Sequence, residues 1–205
     1  MFTGLIREIA TVKSYQNNTL AISSKYKPKL GDSIAINGVC LSVTKLLGDG
    51  FELELSDETR AVIDESKLSG KVHIEPAMKM GDRFEGHIVQ GHVDCVGVIE
   101  KIVTNENSSD FIIKVDANTI KHIVPKGSIT IDGISLTVND VGHDSFRLTI
   151  IPITLRDTLI GGYKKGVKVN IETDMFARYI DHILTHKNKS KTMSWNEIDT
   201  IQMSY

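Results

Sequence analysis

The chain has 205 residues, 40% of them hydrophobic and 24% charged, with a formal net charge of −2 at pH 7. Its length gives ample material for two small cores, and its composition is that of a soluble globular protein. A near-neutral balance with no Lys/Arg-rich face lacks the attraction that dominates nucleic-acid binding, and no apolar run approaches the roughly 20 residues of a membrane span.

Met1 to Ile6 lacks the basic start of a signal peptide, so the expected location is cytoplasmic, with neither nucleic acid nor membrane as a partner. The two cysteines, Cys40 and Cys95, read as free thiols in such a compartment. No Cys/His spacing matches a zinc site, and His87 and His92, five apart, are poorly spaced for one helix face. No metal is expected.

In chain order, Leu20 to Ser23, Ser33 to Ile36 and Leu41 to Val43 are short apolar-alternating runs separated by Gly, Asn and Lys, and they read as strands. Asn37-Gly38 between two of them predicts a type I′ hairpin, which needs positive φ at both central residues. Phe51, Leu53 and Leu55 alternate with Glu52 and Glu54. A short helical or turn segment over Thr59 to Leu68 and a closing strand at Val72 to Ile74 complete the unit.

The chain then writes this unit again. Gly31 to Val43 (GDSIAINGVCLSV) and Lys126 to Val138 (KGSITIDGISLTV) match at six of thirteen positions without a gap, and Asp132-Gly133 repeats the turn chemistry. In the same register Phe51 falls on Phe146 and Thr59 on Thr154. A two-residue shift puts Lys71 to Glu75 on Lys168 to Glu172, and upstream Gly4 aligns with Gly91. Residues 1–86 and 87–174 are therefore two tandem copies, too few for a solenoid. About six short strands per copy indicate a closed antiparallel barrel, which removes exposed edges, although a sandwich carries the same periodicity.

After Asp174 the period changes to 3.6. Phe176, Tyr179, Ile180, Ile183 and Leu184 form an apolar stripe, predicting an amphipathic helix over Met175 to His186 with Asp174 as an N-cap candidate. The stripe must be covered by its own barrel or by other subunits. Ser194 and Glu197 have capping-box spacing ahead of a second short helix. The segment 175–205 has no counterpart in the first copy.

Superposing the copies pairs four kinds of segment: Gly4-Leu5-Ile6 with Gly91-His92-Val93, Cys40-Leu41-Ser42 with Ser135-Leu136-Thr137, Glu54 to Thr59 with Thr149 to Thr154, and Ser33 with Ser128. The small thiol and hydroxyl groups alternate with Leu, so they share one face of a strand. Facing inward they would need hydrogen-bond partners or a ligand; facing outward they cost nothing. His92 is the titratable group best suited to proton transfer near neutral pH, with a structural, hydrogen-bonded histidine as the competing reading. Gly161-Gly162 is a turn, since no strand-to-helix glycine fingerprint surrounds it.

With MFTG at the start, then NGVCLSVT, GHIVQGHVD, DGISLTVN and IPITL, the chain resembles the riboflavin synthases over residues 1 to about 186. The resemblance implies an all-β fold, two tandem six-stranded antiparallel Greek-key barrels plus a C-terminal α-helix, assembled as a homotrimer. It implies the conversion of two molecules of 6,7-dimethyl-8-ribityllumazine into riboflavin and 5-amino-6-ribitylaminouracil, with no cofactor. Each barrel would hold one lumazine, the working pair formed between neighbouring subunits. Lumazine synthase, which makes the substrate, is a candidate partner.

Carried over by position, the resemblance implies a first-barrel pocket of Gly4, Leu5, Ile6, Cys40, Leu41, Ser42, Glu54, Leu55, Ser56, Asp57, Glu58 and Thr59, with Ser33 and Phe2 nearby. The second would take Gly91, His92, Val93, Lys126, Ser135, Leu136, Thr137, Thr149, Ile150, Ile151, Pro152, Ile153 and Thr154. His92 would transfer protons, with Cys40, Ser135 and Thr137 as hydrogen-bond donors or transient nucleophiles. Ser42 stands where the family often has threonine, and Ile153 where it is often polar. A lumazine carrier without turnover is the alternative.

Overall fold

The computed structural model describes residues 1–189. The first barrel is built from β1 (Glu8–Gln16), β2 (Thr19–Ser23), β3 (Ser33–Ile36), β4 (Val39–Leu47), β5 (Gly50–Glu54) and β6 (Lys71–Pro76), closed in the order β1-β2-β5-β4-β3-β6. The second uses β7 (Cys95–Thr104), β8 (Ser109–Lys114), β9 (Ser128–Ile131), β10 (Ile134–Val141), β11 (Ser145–Ile150) and β12 (Lys168–Thr173) in the matching order β7-β8-β11-β10-β9-β12. Every pairing is antiparallel, so the duplication read in the sequence is a duplication of topology, and the barrel reading prevails over the sandwich.

Alternation explains the cores. Leu20, Ile22, Ile34, Ile36, Phe51, Leu53, Val72 and Ile74 point inward in the first barrel, and Ile113, Ile129, Ile131, Phe146, Leu148, Val169 and Ile171 do so in the second. Phe51 and Phe146, paired by the repeat, are both fully buried. Each such side chain stabilises the fold by roughly 1.5–3 kcal/mol. Truncating either Phe to Ala would cost about 3–5 kcal/mol.

The two Gly-containing hairpins take the expected turn. Asn37 and Gly38 have φ of 45° and 82°, Asp132 and Gly133 of 47° and 82°. They also meet one another at the boundary between the barrels. Asn37 Oδ1 accepts the His73 N–H (2.9 Å) and Asn170 Nδ2 donates to Asn37 O (3.0 Å). His73 Nε2 accepts the Leu159 N–H (2.8 Å), which leaves the proton on Nδ1 to donate to Asp132 O (3.0 Å). The fully buried Asp132 carboxylate is paired with Lys67 Nζ and accepts the Tyr163 hydroxyl (2.6 Å). The sequence marked Asp132 as a turn residue; its side chain also locks barrel to barrel.

Between strands lie α1 (Asp57–Val62), capped by Ser56, whose oxygen accepts the Thr59 N–H, and the short α2 (Ala117–Ile120). At the equivalent of α1, α3 (Pro152–Asp157) starts at a proline. The C-terminal α4 (Met175–Lys189) is capped by Asp174, whose Oδ1 accepts the Phe176 N–H (2.9 Å). Asp181 ties α4 to His122 and Lys121. The apolar stripe predicted for it is not covered by its own barrel: Phe176, Tyr179, Ile180, Ile183 and Leu184 are 55–61% exposed. The second short helix predicted after Ser194 lies outside the described residues.

Candidate active site

On β4 the Leu41 side chain enters the core while Cys40 and Ser42 face outward, and on β10 Ser135 and Thr137 do the same beside Leu136. The thiol and hydroxyl groups thus lie on outer barrel faces, where they need no buried partner. What covers them comes from the other barrel. The Cys40 N–H donates to Gly91 O (2.9 Å) and the Ser135 N–H to Gly4 O (2.8 Å). Both glycines have positive φ, and a Cβ on either would lie 2.5–2.6 Å from the Cβ of Ser135 or Cys40, so only glycine permits this approach.

This arrangement corrects the expected grouping. Gly4-Leu5-Ile6 was expected over the first barrel and Gly91-His92-Val93 over the second; the two leading segments are exchanged. The reason is where each segment is held. Thr3 and Gly4 donate to Glu75 at the end of β6 and, from there, reach across to β10. Gln90, Gly91 and His92 donate to Glu172 at the end of β12 (2.7, 2.8 and 3.1 Å) and reach across to β4. Both carboxylates are buried. Burial pushes the Glu172 carboxyl up to about 7 and raises Glu75 as well, against the lowering effect of the N–H bonds.

Over the first barrel a cleft of about 510 Å³ is lined by Val39, Cys40, Glu58, Thr59, Val62, Ile63, Gly91, His92 and Val93. A second hollow of about 370 Å³ shares Cys40 and Thr59 and adds Leu41, Ser42, Glu54, Leu55 and Ser56. Most of the first-barrel residues expected from the sequence therefore converge, together with Val39, Val62 and Ile63, which the sequence did not single out. Ser33 lies beside them, paired across the ladder with Ser42. Phe2 is fully buried, bridged to Val89 and packed in a small cluster with Ala35 and Cys40.

At the second barrel Ser135 Oγ lies 2.7 Å from His87 Nδ1. Burial lowers the His87 pKa, and its Nε2 has no hydrogen-bond partner among the described residues. The sequence singled out His87 only as an ill-spaced metal-ligand pair with His92, and nothing in its spacing places it against Ser135. Thr137 and Lys126 are exposed, the latter at φ 67° with its N–H donating to Val138 O. Thr149 is committed elsewhere, its hydroxyl donating to Asp110 Oδ1 (2.6 Å) and accepting from Arg147. Ile151, Pro152 and Ile153 are exposed at the start of α3. The catalytic candidates thus divide between the two barrels, Cys40 and His92 at the first-barrel cleft and Ser135 and Thr137 on β10, where His87 joins Ser135. Cys95 is in neither; burial pushes its thiol up to about 12.

Fused six-stranded barrels with matching outer-face contacts, Cys40 with Gly91 and Ser135 with Gly4, define a duplicated-barrel protein. The family model for the lumazine binding domain matches residues 3–77 and 90–174. The chain is 38% identical to riboflavin synthase of Actinobacillus pleuropneumoniae over 100% of its length and 99% of that protein. It is 37% identical to that of Bacillus subtilis over 94% of each. The chain belongs to the riboflavin synthase family. Its fold is also that of LumP complexed with riboflavin (TM-score 0.75, 22% identity, 85% of this chain and 100% of that) and with 6,7-dimethyl-8-(1'-D-ribityl) lumazine (TM-score 0.70, 22% identity, 85% and 99%).

Proposed function

We propose that the chain is an enzyme of riboflavin formation, a transferase that passes a four-carbon unit between two molecules of 6,7-dimethyl-8-ribityllumazine. The products are riboflavin and 5-amino-6-ribitylaminouracil, and what one lumazine loses the other gains. The observation that carries this reading is the pair of matched sites in a chain alignable end to end with riboflavin synthases. Two identical substrates call for two similar pockets. The likeness to LumP, at 22% identity, speaks for the fold alone and does not favour a carrier.

In this reading residues 1–86 and 87–174 are the two lumazine domains, and three copies meet through the apolar stripe of α4, with the exposure of that stripe as support. Trimerisation sets the first barrel of one subunit against the second of its neighbour. Loss of a proton from the C7 methyl of one lumazine gives a ring-stabilised carbanion that attacks the other, and the joined adduct then fragments. His92, at the rim of the first cleft, handles the proton there. At the second site His87, its pKa lowered by burial, lies 2.7 Å from the Ser135 hydroxyl and orients it for hydrogen bonding to the bound lumazine. Holding two molecules face to face supplies most of the acceleration. Work in the cytoplasm beside lumazine synthase fits the chemistry of supply.

The test is to mix the protein with 6,7-dimethyl-8-ribityllumazine, with nothing else added, and follow riboflavin by absorbance and chromatography. Riboflavin at half the lumazine consumed is expected. A spectral shift without riboflavin would mean a carrier.

A further inference from the structure

The loop over the first-barrel cleft is gripped from two directions. Glu172 takes its backbone N–H groups, and Arg178, in the first two turns of α4, straddles its ends. Arg178 Nη1 donates to Asp94 Oδ1 (2.6 Å) and Nη2 to Gln90 Oε1 (2.8 Å), with Glu172 Oε1 3.9 Å from Nη2. Asp94 is itself fixed, since its other oxygen accepts the Thr173 N–H and hydroxyl, both at 2.7 Å. A planar guanidinium fork suits this double grip, since it offers each acceptor its own nitrogen, whereas a lysine has a single nitrogen to reach both.

On its far side the loop has no slack. Gly91 O holds the Cys40 N–H, and a Cβ at Gly91 would meet the Cys40 Cβ at 2.6 Å. A shift of Arg178 therefore passes through Gln90 and Asp94 to the cleft wall. The other leading segment has no such device: the counterpart of Asp94 is Arg7, which is exposed, and among the described residues no arginine donates to Thr3.

We infer that Arg178 is a positioning residue for the first-barrel cleft, tying the seating of α4 to the loop that carries His92. The inference rests on the reading of that cleft as a substrate pocket. Arg178 also shares its helical turns with Phe176, Tyr179 and Ile180, so docking on the apolar stripe and the shape of the cleft depend on one rigid element.

In the full-length protein, Arg178→Met removes both grips, while Gln90→Leu removes only the grip at the Gln90 end and leaves the Arg178–Asp94 pair in place. The readout is the His92 ring signal by NMR, first without ligand and then during titration with riboflavin, with His87 as the internal control. Both variants are expected to shift the His92 signal and weaken riboflavin binding at that cleft roughly tenfold. Arg178→Lys should recover part of the loss, and the His87 signal should not move in Gln90→Leu. An unchanged His92 signal and affinity in Gln90→Leu and Arg178→Met would overturn the inference. Because the ligand-free signal requires no turnover, a wild-type protein that makes no riboflavin would sink the proposed reaction and leave this coupling to be judged separately.

Discussion

Gly38 and Gly133 meet back to back where the two barrels touch: a Cβ on Gly38 would lie 2.6 Å from the Gly133 nitrogen, and one on Gly133 would lie 2.7 Å from the Gly38 nitrogen. Both have φ of 82°, a conformation that costs any L side chain. Gly38→Ala or Gly133→Ala is expected to destabilise the protein by about 2 kcal/mol or more, from backbone strain and overlap together. Urea denaturation measures it. The double variant should cost less than the sum, because both substitutions disturb one contact.

Burial lowers the His73 pKa from 6.5, with Asp132 opposing and Lys67 adding to the effect. In the acid range just below 6.5 the unfolded chain binds a proton that the folded protein refuses. The His73 contribution is therefore fully present above pH 6.5 and is lost as pH falls through the folded value. Glu172 works the other way, its stabilisation full below 4.5 and lost as pH rises through about 7. Comparing wild type with His73→Gln cancels that common slope. The advantage of wild type should shrink from pH 7.5 to pH 5.5, and a constant difference would contradict it.

His92 is exposed at the rim of the cleft, so His92→Ala should leave the fold intact and slow riboflavin formation by about 10². Single-turnover kinetics separate this from weakened binding. An unchanged rate removes His92 from proton transfer.

Ser135→Ala takes the hydroxyl from its 2.7 Å contact with His87. If the pair acts as a unit, His87→Ala after Ser135→Ala should add little further loss of rate. Two fully multiplicative losses would mean independent roles.

The stripe on α4 gives a fifth expectation. Replacing Ile180 and Ile183 by Asp puts charge at the centre of the proposed subunit contact, and light scattering should then report monomers in place of trimers. Activity should fall with the assembly. A persisting trimer would place the contact elsewhere.

Much of this was legible in the sequence. The type I′ turns at Asn37-Gly38 and Asp132-Gly133, the alternation around Phe51 and Phe146, and the stripe from Phe176 to Leu184 follow from local chemistry and appear as expected. The exchange of Gly4 and Gly91 between barrels does not follow from it. Aligning the copies shows which segments correspond, but hydrogen bonds between distant residues decide which barrel each one covers. Glu75 and Glu172 were visible as repeated residues of the two closing strands. That they anchor the loops emerges only when each buried acceptor is seen with its donors, three N–H groups on Glu172 and the Thr3 and Gly4 N–H groups with the Thr3 hydroxyl on Glu75.

The exchange carries a consequence for heredity. A gene cut after residue 86 yields a first half whose Cys40 has lost the Gly91 carbonyl, while its own Gly4 carbonyl has lost Ser135. Because Gly4 corresponds to Gly91 and Cys40 to Ser135, two copies of that half could close the same bonds by trading segments with each other. Fusion of two genes would then have turned a partnership between separate chains into one that is inherited whole.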